Sequence, residues 1–398
     1  MRHALGPKST RAESADRVRC AMKKLHRSLT AVVAASSLSG VTARARAQDP
    51  MPGADLPTDA RSPVTTRAHG VVAIPVLHSS PLLGTGFGGV GAVLFRLDSA
   101  SHASSVGIGG VYSTRHSWLF AAASRAMFRS NRWTAAAGLE LFDLNYDFFG
   151  VGVVAARADE SVPVEQRGDA EVAEVLRRVY DRLYVGPRYV HRGVTTKLDP
   201  EDASNPLSPQ AALDPDYDIS ALGGAAEYDS RDDEYAPRHG AYGRLSVTFA
   251  RSWLGSDRAF DHYDGWINEY VALPSRRLLA FRLAACSVGS GAPIWDLCLY
   301  GLHADLRGYE GARYRDRAMF AAQGELRSPV VGRFGAALFG GVGTVAPSFS
   351  AVAANQLLPS AGLGVRYLAS ETRRVTLGAD YAWGKDGGAF YFRIGEAF

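Results

Sequence analysis

From about residue 85 onward the chain alternates apolar and polar side chains with a period of two, in one run after another. Along RRVTLGADYAWG, 373–384, Val375, Leu377, Ala379, Tyr381 and Trp383 fall on one face, and Arg374, Thr376, Gly378, Asp380 and Ala382 on the other. In SAGLGVRY, Ala361, Leu363, Val365 and Tyr367 oppose Gly362, Gly364 and Arg366; in LLAFRLAA, Leu279, Phe281, Leu283 and Ala285 oppose Ala280, Arg282 and Ala284. The same rule reads strands at 85–98, 103–114, 117–128, 132–143, 178–195, 217–230, 241–253, 261–273, 277–288, 316–328, 333–345, 359–370, 373–384 and 388–398, fourteen in all. A short run at 70–76, GVVAIPV, pairs with them or lies under them. The insertion 150–177 stays open, because EVAEVLRRVYDRL at its end suits a helical turn or the start of a strand.

The apolar faces are continuous, whereas the polar faces mix Gly, Ala and Ser with single charges. A soluble sandwich buries its apolar faces together; a membrane barrel turns them to lipid around a polar lumen. Period alone does not separate the two. Length and aromatic placement do: the runs of about 10–14 residues suffice to cross a bilayer at a tilt, and Trp133, Trp253 and Trp383 stand at strand ends, where interfacial girdles belong. Tight connections at 129–131 and 275–277 contrast with long ones at 254–260, 289–315 and 346–358, which suggests a short-turn end and a long-loop end. On this strand count 129–131 is a short connection among the long ones. The expected fold is all-β, a transmembrane antiparallel barrel of 14–16 strands.

A chain of 398 residues with 46% hydrophobic residues and 42 Gly is not a disordered one. Net charge is +4, with the basic residues scattered, so no nucleic-acid partner is expected. Met22-Lys23-Lys24-Leu25-His26-Arg27, the apolar run 29–41 and the small-x-small site Ala45-Arg46-Ala47 read as a secretory signal peptide spanning 1–47, whose true start is Met22. A polar, Pro-containing linker at 48–69 precedes the barrel domain, 70–398. Cys20 falls in the leader. Cys286 and Cys298, in CSVGSGAPIWDLC, form a disulfide or remain two buried thiols; an exported compartment permits the first.

Few motifs carry chemistry. Gly84-x-Gly86-x-x-Gly89 matches a dinucleotide pattern, but a strand follows it, and the pyrophosphate needs a helix N-terminus. Asp229, Asp232, Asp233 and Glu234 lack the spacing of a calcium loop. The histidines show no zinc spacing, and no Gly-x-Ser-x-Gly occurs. Neither an enzyme, a cofactor nor a metal is expected.

One segment is too rich in glycine and charge for a helix or a strand: HADLRGYEGARYRD, 303–316. Its Leu306-Arg307-Gly308-Tyr309 resembles the Val-Arg-Gly-Phe/Tyr tip of the inward-folded loop in the BamA/TamA-type outer-membrane barrel superfamily, also called the bacterial surface antigen family. YDSRDDEYAPRHG (228–240) resembles that family's Asp-x-Arg-Asp…Pro-x-x-Gly turn, QGELRSPV (323–330) its Glu-x-Arg strand, and NYDFFGVG (145–152) a segment of its short, barrel-only members. The resemblance covers roughly 70–398. The last strand ends on Phe398, which resembles the C-terminal signal of outer-membrane barrels; parity puts Phe390, Phe392, Ile394 and Phe398 on one face, with Glu396 the exception.

The resemblance implies a loop folded into the lumen, and alternation supplies its partners. Gln323, Glu325 and Arg327 lie opposite Phe320, Ala322 and Leu326, so Glu325 points inward, as do Asp380 and Arg366. A guanidinium withdrawn from water needs carboxylates, so Arg307 is expected to pair with Glu325, Asp380 or both, with Gly308 allowing the turn and Tyr309 packing on the inner wall. The resemblance further implies a role in inserting or translocating protein or lipid, with outer-membrane lipid and unfolded polypeptide clients as partners, through a weak seam between 85–98 (extended by 70–76) and 388–398. Two departures stand out. Family members often carry an Asp near Gly341, where this chain has none, and 48–69 is too short for a POTRA domain, which leaves client recruitment open. A passive pore or structural barrel, and a secreted soluble lectin-like β-protein, are the alternatives.

Overall fold

The computed structural model describes residues 69–80, 84–198, 207, 215–233, 236–301, 306–370 and 375–398; the leader and most of the linker read from the sequence lie outside them. The strands are β1 (His69–Ser80), β2 (Gly84–Phe95), β3 (Ser104–Ser113), β4 (Trp118–Phe128), β5 (Trp133–Phe148), β6 (Val162–Tyr180), β7 (Leu183–Leu198), β8 (Asp216–Asp229) and β9 (His239–Ala250). They continue with β10 (Phe260–Ala272), β11 (Leu278–Val288), β12 (Cys298–Leu299), β13 (Arg315–Asp316), β14 (Ala318–Val331), β15 (Phe334–Ala346), β16 (Leu358–Ser370), β17 (Val375–Gly384) and β18 (Gly387–Ile394). One short helix, α1 (Gly152–Arg157), precedes β6. Among the described residues, sixteen strands form a single sheet in chain order, every neighbour antiparallel, while β12 and β13 pair with each other.

Sixteen lies at the top of the expected range, and two strands account for the difference from the fourteen read above. The run at 70–76 belongs to β1, paired along its whole length with β2. The expected strand at 178–195 is corrected: the chain turns at 181–182, so that segment holds the end of β6 and most of β7. The open segment 150–177 contributes α1 and nearly all of β6. Once β6 is counted, the turn at 129–132 joins 181–182, 273–277 and 332–333 at one end of the barrel, and the exception noted above disappears. At that end 229–240 closes on itself: Arg231 donates to Asp229 through Nε at 3.0 Å and Nη2 at 2.8 Å, and Asp232 Oδ1 accepts from the Arg238 and His239 N–H groups.

The pleat sorts the faces as the alternation requires. Outward-facing Leu363 and Leu377 are 48% and 43% exposed, whereas Asp380 is fully buried and Arg366 nearly so. Phe87, Ile108, Phe120, Leu245, Phe281, Leu283, Leu338, Phe390 and Phe392 continue the outer belt. A water-soluble protein does not present a band of that extent, and the buried polar residues line the inside, the reverse of a soluble core. The soluble lectin-like alternative is thereby set aside.

β1 and β18 lie side by side, yet among the described residues no backbone ladder joins them. β1 is 12 residues long and β18 only 8. Phe398 also departs from expectation. The strand ends at Ile394, Gly395 adopts φ +89°, and Phe398 packs against Tyr270, Leu278 and Ala280, which face the lumen. Parity put it on the outer face with Phe390 and Phe392 only on the assumption that the strand ran on.

A lipid-facing charge tests this orientation. Leu363→Arg is expected to cost about 2–4 kcal/mol in denaturant titrations of the liposome-embedded barrel, with Leu363→Ala costing less. Equal costs would contradict a lipid-facing Leu363.

Candidate functional site: a loop held inside the barrel

Between β11 and β14 the chain enters the lumen. Cys286, on the inner face of β11, is disulfide-bonded to Cys298, which fastens the start of the loop to the wall; of the two options left open above, the structure contains the bond. β12 and β13 then close a small hairpin, extended by the Tyr300 N–H to the Tyr314 carbonyl at 2.9 Å. Tyr300, Tyr309 and Tyr314 pack on one another with ring centroids 5.4–6.3 Å apart. Their hydroxyls reach outward from this knot: Tyr300 to the Leu358 carbonyl at 2.7 Å, Tyr309 to the Pro359 carbonyl at 2.5 Å, and Tyr314 to Asp386 at 2.6 Å. Burial first, and the bonded Asp386 second, push the Tyr314 hydroxyl above the ordinary phenol range, so it stays protonated as a donor.

The tip places Arg307 at the centre of a charge cluster. It is fully buried. Nη1 donates to Asp380 Oδ2 at 2.6 Å, Nη2 to Glu325 Oε2, and Nε to Gln323 Oε1 at 3.2 Å. The guanidinium carbon sits 3.3 Å from the centroid of the Phe339 ring, a close cation–π contact. Both expected acids therefore engage it, and each is shared. Glu325 Oε1 accepts from Arg327 Nε at 2.7 Å and from Arg366 Nη2 at 3.4 Å; Asp380 Oδ1 accepts from Arg366, and Arg393 faces its Oδ2. Glu396 completes the group, accepting from Arg366 Nε at 2.7 Å. Four guanidiniums (Arg307, Arg327, Arg366, Arg393) thus meet three carboxylates (Glu325, Asp380, Glu396).

The neighbours of Arg307 fix the backbone of the tip. Gly308 has φ +106°, which strains any side chain, and a Cβ there would crowd the Trp383 carbonyl oxygen at 3.0 Å. The Gly308 N–H donates to the Tyr391 hydroxyl at 2.9 Å, and Ser360 Oγ donates to the Arg307 carbonyl. Leu306 is fully buried against Gly341, where a Cβ would lie 2.4 Å from Leu306 Cδ1. Glycine at 341 thus clears the space that Leu306 fills, and the anionic partners come from β14 and β17 instead.

Outside the tip, Arg315 is buried among Tyr146, Phe148 and Trp295, 5.1–5.8 Å from their ring centroids. Arg313 donates to the Ala156 carbonyl at 2.9 Å and to Asp159 at 2.7 Å, joining the loop to α1 and the residue pair behind it. Arg192 on β7 pairs with Asp296 of the loop. A second polar network, Arg125–Glu227–Arg244–Glu174–Arg188, runs along the inner faces of β4 and β6 to β9.

Sequence reasoning did not reach Phe339, Ser360 and Tyr391, nor the membership of Gln323, Arg327, Arg393 and Glu396 in the cluster. Parity alone puts Tyr391 and Arg393 on the inner face of β18, so those two were accessible in principle. Nothing in the sequence points to Glu396, because its place depends on the chain leaving the strand at Gly395. What the arrangement does is hold a loop in the lumen.

Strand number, outward apolar belt and pinned inner loop together define a transmembrane β-barrel with an inward-folded loop. The model of the Omp85 superfamily domain matches residues 103–398, and the chain belongs to that superfamily, in which members such as BamA and CdiB are non-enzymatic transporters or assembly factors. Among solved structures, it resembles BamA from Haemophilus ducreyi lacking POTRA domains 1–3, at 14% identity and TM-score 0.55, over 82% of this chain and 70% of that one. It also resembles CdiB from Escherichia coli, at 12% identity and TM-score 0.54, over 82% of this chain and 62% of that one, and CdiB from Acinetobacter baumannii, at 11% identity and TM-score 0.51, over 83% and 60%. The chain therefore spans less than two thirds of the length of the CdiB structures. No curated protein matches it by sequence.

Removing Arg307 takes one charged donor each from Glu325 and Asp380, which keep Arg327, Arg366 and Arg393, a loss of about 1.5–3 kcal/mol. Arg307→Ala is accordingly expected to lower the temperature at which the barrel loses its heat-modifiable gel mobility, and to expose Arg313 and Arg315 to trypsin. Arg307→Lys is expected to behave similarly, since a point-charge ammonium does not span Glu325, Asp380 and Gln323 at once. Unchanged mobility and protection in both variants would contradict the pinning role.

Proposed function

We propose that this protein acts in the bacterial outer membrane as an insertion or translocation barrel that receives polypeptide as unpaired β-strands, with 1–47 as its leader, 48–69 as a linker and 70–398 as the working domain. The observation that carries this reading is the seam. β1 is fully paired with β2 on one side, and on the other, among the described residues, it stands beside β18 without a ladder, so these two strand edges are the least tied in the sheet. Such edges template an incoming strand through main-chain hydrogen bonds. Membership of the Omp85 superfamily supports a role of this general kind.

A filled lumen argues against the passive pore. The Arg307 cluster, the tyrosine knot and the Arg315 box occupy the interior, and a cavity of about 660 Å³ lies at the short-turn end beside Arg178, Asp181, Arg182 and Asp232. A client that does not thread the lumen has the seam as its route.

The test is insertion into liposomes. Vesicles containing the purified barrel are expected to speed the folding of a urea-unfolded outer-membrane barrel, read by its shift to the heat-modifiable form. Bridging engineered cysteines on β1 and β18 with a bis-maleimide, which leaves Cys286–Cys298 intact, is expected to abolish the acceleration. Acceleration that persists with the seam bridged would exclude the seam as the route.

A further inference from the structure

The four residues that follow β18 make contacts that a loose tail would not. Gly395 breaks the strand with φ +89° and donates its N–H to the Thr376 carbonyl at 2.7 Å. Glu396 accepts from Arg366 Nε at 2.7 Å and stands 3.5 Å from Arg327 Nε. Ala397 is buried. The Phe398 carbonyl accepts from Arg327 Nη2 at 2.9 Å, its ring lies 5.6 Å from the Arg327 guanidinium, and it packs on Tyr270, Leu278 and Ala280. Charge, main chain and ring are each met by a matching group on β10, β11, β14 or β16, so this corner of the lumen is a binding site and 395–398 is its occupant.

The same two arginines serve the loop tip. Arg327 donates to Glu325, and Arg366 donates to both Glu325 and Asp380, the two carboxylates that hold Arg307. We propose that 395–398 is a latch: it binds inside the lumen, holds the end of β18 inward, and is coupled through Arg327 and Arg366 to the seating of Arg307. The sign follows from charge. With Glu396 in place the cluster sets four guanidiniums against three carboxylates; with it gone, four face two, and in a site screened from water the added repulsion works against Arg307. Latch-in therefore favours loop-in, and by reciprocity withdrawal of the loop loosens the latch. Both act next to the seam, because the β17–β18 ladder ends at the Leu377–Ile394 pair, one residue before the tail departs. The inference rests on the pinned-loop reading and names what regulates it.

Hydrogen exchange on the full chain in nanodiscs tests the coupling. In Glu396→Gln, amides in 306–316 and 387–394 are expected to exchange about tenfold faster, as loss of one charged hydrogen bond implies, with β5 to β8 unchanged. Arg327→Lys, which keeps the charge but not the fork that serves Glu325 and the tail together, is expected to give the same pattern and stands in should Glu396→Gln not fold. Faster exchange confined to 387–398 would overturn the coupling. Arg307→Ala is run in parallel: faster exchange at 306–316 in that variant alone means the pin is real and the latch is not, while no change there in Arg307→Ala removes the pin itself.

Discussion

A guanidinium held out of water is costly unless its donors are met by carboxylates in the right geometry. Arg307 is in that position, and much of the barrel interior answers to it. Glu325 and Asp380 supply charge from two non-neighbouring strands, Gln323 takes the remaining Nε donor, and Phe339 covers one face of the plane. Because β14 and β17 are separated by two further strands, the interaction acts across the sheet as well as on the loop: the loop seats only when those strands stand in register.

The lumen as a whole inverts the rules of a soluble core. Charged and polar groups pair across much of it, and apolar packing gathers around the loop and in two small clusters on the wall. The tyrosine knot and the stacked Arg315 occupy the part of the lumen nearest the long loops, and the ladder from Arg125 to Arg188 lines β4 and β6 to β9. Gly341 shows how the parts fit. Where the family resemblance led to the expectation of an acid, this chain has no side chain at all, and the space is filled by Leu306. The tip is seated by shape on one side and by charge on the other.

The seam has the opposite character. Every other pair of neighbouring strands in the sheet shares a hydrogen-bonded ladder, whereas among the described residues β1 and β18 meet without one. The short final strand offers few ladder bonds of its own, and sparsely bonded edges are where motion concentrates. Placing the Arg307 cluster directly behind β17 and β18 puts the most strongly tied part of the lumen next to the least tied part of the wall.

The alternation of side chains determined which residues face lipid and which face the lumen, because a strand's period of two is a local property. It therefore placed Glu325, Arg366 and Asp380 inward and Leu363 and Leu377 outward. It did not resolve β6, since that strand reverses the code over part of its length: Val164, Val172 and Leu176 are buried while Arg167 and Arg177 are exposed, so no lipid-facing apolar run announces it. Missing one strand then inverted the assignment of the 129–132 turn. Only the tertiary structure decided which inward charges meet, that both acids share Arg307, and that Glu396 and Phe398 turn into the lumen after Gly395. Those outcomes depend on the order in which sixteen strands curl around one another, and pairing between residues more than seventy positions apart, such as Arg307 and Asp380, leaves no periodic trace in the chain.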